Sequence, residues 1–157
     1  MTQPIPAGYH SVTPQLMFKD TQKAIEFYKK AFGAEVTKIF SNPSGSGIMH
    51  ATIRIGDSIV MMGDEMPGCG SAETTGGSPI SLFLYVKNAD EVFNQTLAAG
   101  GKTVMPVEDM FWGDRAGNIQ DPFGYSWMIA THKRDMTKDE IKKEAEIFFA
   151  RMAKRGT

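Results

Sequence analysis

The chain has 157 residues, 41% of them apolar and 22% charged, and its 17 Lys and Arg against 18 Asp and Glu leave a net charge of −1. Such values are ordinary for a globular domain of this length, which excludes disorder, collagen-like repeats and a fibrous rod. No Lys/Arg cluster offers a footprint for nucleic acid, and no stretch approaches the roughly 18 apolar residues a membrane span requires. Residues Met1 to Gly8 carry neither the basic nor the apolar part of a secretion signal, so a cytoplasmic location is expected. The single cysteine, Cys69, has no partner for an intramolecular disulfide or a CxxC site.

Read in chain order, alternation predicts a first strand over Ser11–Phe18, and helical spacing of Ala24, Ile25, Phe27, Tyr28 and Ala31 predicts a helix over Thr21–Phe32 that stops at Gly33. Strands follow over Glu35–Phe40, Gly47–Ile55 and Ser58–Gly63, with a turn at Asn42–Gly47. The segment Asp64–Ser78, rich in Gly, Ser, Thr and Pro, reads as a linker. The design then repeats: a strand over Ile80–Lys87, a helix over Ala89–Ala99, and strands over Lys102–Pro106, Trp112–Gln120 and Tyr125–Thr131. Leu16 and Leu84, Phe18 and Val86, Asp20 and Asn88, and Gly33 and Gly101 are each 68 residues apart, an offset expected to run without a gap through Gly56 and Gly124. A last helix is predicted over residues 137–154, opened by a capping box at Thr137 and Glu140 and striped with Ile141, Ala145, Phe148, Phe149 and Met152. That stripe must cover either the chain's own sheet or a partner subunit.

The doubled strand–helix–three-strand unit, with the segments "LMFKDTQKAIEFYKKAFGAE" and "WGDRAGNIQDPFGYSWMIATHK", resembles the vicinal oxygen chelate superfamily of glyoxalases, bleomycin resistance proteins and extradiol dioxygenases. The opening "TPQLMFKD" and the tail "MTKDEIKKEAEIFFARM" look most like its PhnB-like branch, whose members are generally dimeric. The resemblance implies an α+β fold of two βαβββ modules (about 11–63 and 80–131, joined by 64–78), each a curved half-barrel sheet, followed by a C-terminal helix, in one domain over residues 1–157. It also implies, for members that chelate a metal, His, Gln or Glu ligands on the first and last strands of each unit. At the matching positions stand Thr13, Ser81, Val60 and Met128, two hydroxyls and two apolar side chains. Apolar groups cannot coordinate a divalent cation, and neutral hydroxyls are poor ligands beside carboxylate or imidazole. No metal and no cofactor is therefore expected, an expectation that fails if two or more carboxylates or imidazoles converge on one spot inside.

Strand alternation assigns Leu16, Phe18, Leu82, Leu84 and Val86 to the helix side. If Ile55 pairs with Ile59 and Ile53 with Met61, the concave faces carry Thr13, Gln15, Met17, His50, Thr52, Val60 and Met62 in the first module, and Ser81, Phe83, Tyr85, Asn118, Gln120 and Met128 in the second. Such a surface, apolar with a few neutral polar groups, suits a small organic molecule. His50 is the one imidazole expected inside, able to serve as base, acid, ligand or passive lining; His10 and His132 are expected to be exposed. Arg115 reads either as an ion pair with Asp114 or as an anion-recognising rim, and Phe111 and Trp112 either as core or as a stacking surface for a planar ligand. The Asp121-Pro122-Phe123-Gly124 turn reads as structural. The expected function is metal-free binding of a small organic molecule by a homodimer. The alternatives are a metal-dependent or His50-based lyase, isomerase or dioxygenase, and an interaction module built on the C-terminal stripe.

Overall fold

The computed structural model describes residues 2–156; Met1 and Thr157 lie outside the described residues. The elements run β1(Gln15–Phe18), α1(Thr21–Phe32), β2(Glu35–Ser41), β3(Ile48–Ile55), β4(Ser58–Asp64), α2(Ala72–Thr75), β5(Ser81–Tyr85), α3(Ala89–Ala99), β6(Lys102–Asp109), β7(Asp114–Gln120), β8(Ser126–His132) and α4(Lys138–Arg155). Both module helices occupy the predicted span. Each begins where a short side chain caps it: Asp20 accepts from the Lys23 N–H and Asn88 from the Glu91 N–H. Helix α1 ends at Gly33, whose φ of 66° closes the last turn in the left-handed region. The first strand is shorter than predicted, starting at Gln15, and the expected linker contains the one-turn helix α2, capped by Ser71.

Two four-stranded sheets form, ordered β1-β4-β3-β2 and β5-β8-β7-β6, each with a parallel first pair and antiparallel remainder. Helices α1 and α3 pack on each other, and one core joins the helix sides of both modules, including Phe18, Ile25, Tyr28, Ile53 and Met62 from the first and Phe93, Ile119, Trp127 and Ile129 from the second. The opposite face of each sheet points away from this shared core. Each large core side chain contributes about 1.5–3 kcal/mol by leaving water.

A buried polar knot ties the modules together. The Asp121 carboxylate accepts from the Tyr28 hydroxyl, from Trp127 Nε1 at 3.0 Å, and from the backbone N–H groups of Phe123 and Tyr125 at 3.0 and 2.9 Å. The Tyr125 hydroxyl in turn donates to the Met17 carbonyl at 2.7 Å and accepts from its N–H at 3.2 Å. The turn after β7 thus clasps α1 and β1 of the other module, consistent with its structural reading.

The repeat drifts where the sequence predicts no gap. Leu16 pairs with Met62 and Leu84 with Ile129, so β1 and β5 correspond at 68 residues but β4 and β8 at 67. Ala51 pairs with Met62 and Gly117 with Ile129, which puts β3 and β7 at 66. The cause is turn length. The β3–β4 connection is the two-residue pair Gly56 and Asp57, with Gly56 at φ 57°, so Ile55 pairs with Ser58 and Ile53 with Val60. The expected pairing of Ile53 with Met61 is one residue out of register, and a one-residue slip moves every side chain of a strand to the other face.

Candidate functional site

On the first module's open face, ladder partners place Gln15 beside Met61, Met61 beside Thr52, Thr52 beside Lys38, and His50 beside Phe40. Met17 lies on the same face, half-buried. His50 Nε2 lies 3.1 Å from Thr52 Oγ1, and the Tyr9 hydroxyl approaches the same oxygen at 3.4 Å, so Thr52 is fully buried under the N-terminal segment. Among the described residues no carboxylate bonds His50. The register correction removes two expected lining residues: Val60 and Met62 face the helix, Met62 with no exposed surface, because they pair with Ile53 and Ala51. Ile59 and Met61 take their places on the open face.

On the second module's open face lie Phe83 and Tyr85, both about half exposed, with Ser81, Met128, Asn118 and the exposed Gln120. Asn118 accepts from the Ser126 hydroxyl at 2.9 Å. The start of β7 adds what the sequence reading missed. Asp114 is 2% exposed and accepts three hydrogen bonds, from Trp112 Nε1 at 2.7 Å, the Tyr85 hydroxyl at 2.9 Å and His132 Nδ1 at 2.7 Å. His132 Nε2 faces the exposed Asp135 at 3.0 Å. Burial raises the Asp114 carboxyl, but the bonds from His132, Trp112 and Tyr85 outweigh it and hold the group below the ordinary aspartate range. The same bond to Asp114, then that to Asp135, raises the His132 imidazole above 6.5. Tyr85 is raised by burial and by its bond to Asp114.

Arg115 is not the partner of Asp114. Its side chain alternates to the other face, where Nε and Nη2 hold the Asp90 carboxylate at 2.6 and 2.7 Å and Nη1 reaches Asp109 at 3.2 Å. The predicted ion pair with Asp114 is therefore replaced by one with the first turn of α3. Neighbours in sequence on a strand point to opposite faces, so this was legible; that Asp114 and His132 are ladder partners was not, because it depends on the β7–β8 register.

Helix α4 lies over this face without burying any of its own residues completely. Phe148 packs with Met105, Trp112 and Met128 around Met110, Ala116 and Ala130, while Phe149 and Met152 remain exposed. The predicted stripe is thus split between a contact with the chain's own sheet and an open side. Between α4 and the β6–β7 connection is a cavity of about 420 Å³.

The positions at which the family's metal ligands would stand do not fit a divalent ion. Val60 faces the helix, which corrects the expected position by one residue to Met61, the equivalent of Met128 and apolar like it; Thr13 Oγ1 donates to the His10 carbonyl at 3.1 Å, and Ser81 Oγ lies 3.3 Å from Ser126 Oγ. A carboxylate and an imidazole do meet on the second module's open face, Asp114 and His132, but they bond each other instead of pointing at a common spot that a cation could fill. What they make is a hydrogen-bonded pair with both imidazole nitrogens engaged, and among the described residues no three His, Cys, Asp or Glu are placed to hold a metal ion.

Residues 9–129 match the model of the Glyoxalase/Bleomycin resistance protein/Dioxygenase superfamily. The chain is 37% identical over 137 residues to an uncharacterised protein of Mycobacterium tuberculosis, covering 84% of this chain and 80% of that one. It is 31% identical over 147 residues to protein YjdN of Escherichia coli, covering 81% and 99%. Among solved structures, TioX from Micromonospora superposes with a TM-score of 0.62 at 25% identity, covering 82% of this chain and all of that one. A PhnB protein from Bacillus cereus, at 23% identity and a TM-score of 0.62 over 78% of this chain and 99% of that one, shares the fold. The doubled module, its two curved sheets and the family match agree: this chain belongs to the glyoxalase/bleomycin resistance protein/dioxygenase superfamily.

Proposed function

We propose that the protein is a cytoplasmic homodimer of one two-module domain that binds a small organic molecule on the open faces of its sheets without a metal ion. The observation that carries this reading is the chemistry of the four inherited ligand positions, where Thr13 and Ser81 supply committed hydroxyls and Met61 and Met128, in the structure's register, supply apolar side chains. The open faces instead offer aromatic and methionine side chains with a few fixed polar groups, the composition of a site for small molecules. Protein purified from cells and examined by native mass spectrometry and metal analysis is expected to carry no stoichiometric divalent ion and to show a noncovalently retained organic mass. A stoichiometric metal displaced by substituting Thr13, Ser81 or His50 overturns the reading.

A second reading, proton-transfer catalysis of the lyase or isomerase kind, is favoured by one observation: Asp114 fixes Nδ1 of His132, leaving Nε2 against only an exposed, displaceable carboxylate. It predicts turnover of a small carbonyl substrate that is lost in His132→Ala and retained in His50→Ala.

A further inference from the structure

The cavity beneath α4 has a chemistry distinct from the rest of the open face. Its helical wall is Glu144, Ile147, Phe148 and Arg151, the i, i+3, i+4, i+7 face of α4. Opposite stands Phe111, its ring centroid 5.4 Å from that of Phe148. Most charges at the wall are already committed. Asp109 is held by Arg115, Asp114 by its three donors, and Arg151 by Glu108 at 3.3 Å while its guanidinium lies over the Phe148 ring.

Two cations are left over. Lys133 and Arg134, on the connection from β8 to α4, line the cavity, and among the described residues neither side chain has a hydrogen bond or ion pair; each acts on Asp90 or Glu140 only through space. Their backbones are nevertheless fixed, because both N–H groups donate to the Gly113 carbonyl, at 3.0 and 3.2 Å. Gly113 permits that approach: at φ 101°, a Cβ there would meet the Arg134 carbonyl oxygen at 2.3 Å. The lining carries three cations (Lys133, Arg134 and Arg151) and three carboxylates (Asp109, Asp114 and Glu144), but Asp109, Asp114 and Arg151 are held by their partners, so beside the aromatic wall the unpaired groups are Lys133 and Arg134 against Glu144.

From this geometry we infer that the cavity under α4 is a binding site for an aromatic monoanion, such as an aryl carboxylate or sulfonate. Its ring lies against Phe111 and Phe148 and its anionic group meets Lys133 and Arg134. A volume of about 420 Å³ falls within the range of small-molecule sites. A neutral aromatic compound gains the ring contacts but not the charge contact, and an organic cation is repelled where it meets the unpaired Lys133 and Arg134. The inference rests on the binding function proposed above and names which open face takes the ligand and of what class.

The test uses the full chain and two fluorescent probes of nearly the same shape, the anion 1-anilinonaphthalene-8-sulfonate and the neutral N-phenyl-1-naphthylamine. The anion is expected to bind once per chain, about tenfold or more tighter than the neutral probe, with affinity falling as salt rises. Lys133→Ala combined with Arg134→Ala is expected to remove that advantage and leave the neutral probe unchanged; both are surface side chains, and unaltered thermal melting confirms an intact fold. Phe148→Ala is expected to weaken both probes. Equal affinity for the two probes, undiminished anion binding in the double variant, or binding of neither overturns the inference. Anion binding lost in His50→Ala but kept in the double variant also overturns it, yet leaves the proposed binding function standing on the other face.

Discussion

The two modules place different chemistry at the same point of the same fold. In the first, the residue that begins β3 is the buried Ile48, and the residue after β4 is Glu65, whose carboxylate turns away to Ser71 and Thr74 at the cap of α2. In the second, the equivalent positions hold Asp114 and His132, bonded to each other and to Trp112 and Tyr85. One position inward the modules agree again: Asp64 and Thr131 each accept the first N–H of their own module's helix, from Thr21 of α1 and Ala89 of α3. Scaffold functions are thus duplicated, whereas the ends of the open face have diverged. The first face is covered by Tyr9 and carries a histidine without a carboxylate; the second is overlaid by α4 and carries a fixed carboxylate–imidazole pair.

The sharpest contrast in stability lies at the turns. Asp121→Ala strands a buried indole N–H, a phenol and two backbone N–H groups, and since each buried donor left unpaired costs about 1–3 kcal/mol, at least about 3 kcal/mol is expected in urea unfolding. The corresponding residue of the first module is Ile55, where nothing polar is at stake and Ile55→Val is expected to cost about 1 kcal/mol. Equal losses at the two turns would break the comparison.

Asp114→Asn, which keeps the shape and removes the charge, is expected to cost about 2 kcal/mol and to bring the His132 titration, followed by NMR, down towards 6.5. Gly117 and Ala51 occupy equivalent ladder positions, but a Cβ at Gly117 would meet Phe93 at 2.8 Å and Val107 at 2.9 Å. Gly117→Ala is accordingly expected to lose about 1–2 kcal/mol by overpacking, although alanine is the resident residue in the first module.

The pH dependence sharpens the contrast further. His132 is raised in the fold, so its contribution is complete below 6.5 and is lost as pH rises through the raised value. Asp114 is lowered, so its contribution is lost as pH falls through the lowered value. Denaturation midpoints of the wild type and His132→Gln are expected to differ most at weakly acid pH and to converge in alkali. Asp121, raised chiefly by burial, acts in the same direction as His132 and against Asp114, losing stability as pH climbs through its own raised value. The smallest effect is expected at the exposed pairs. Arg115→Ala and Arg54→Ala, which break links to Asp90 and Glu35, should each cost no more than about 1 kcal/mol, shrinking with added salt.

Much of the architecture was legible before any coordinates. Helical spacing is a local signal, and it located α1 and α3 to the residue; the caps Asp20 and Asn88, which the structure shows, are local as well. The candidate site was less so. Gln15, Met17, His50, Thr52, Phe83, Tyr85, Asn118, Gln120 and Met128 do lie on open faces, because alternation needs no more than the strand itself. Met62 did not follow, because its face depends on whether the preceding turn holds two residues or three, and Gly56-Asp57-Ser58 reads equally well either way. His132 looked like the exposed end of a strand, and by area half of it is, yet its partner sits 18 positions upstream.

The sequence alone therefore determined the doubled βαβββ plan and the helix limits, since both follow from residue identity and short-range periodicity. Only the tertiary structure decided which face β4 presents, that Asp114 meets His132 rather than Arg115, and that α4 roofs a cavity edged by Lys133 and Arg134. Those outcomes are set by strand register and by the path of a connection. Both depend on where distant segments come to rest, which no local pattern of residues encodes.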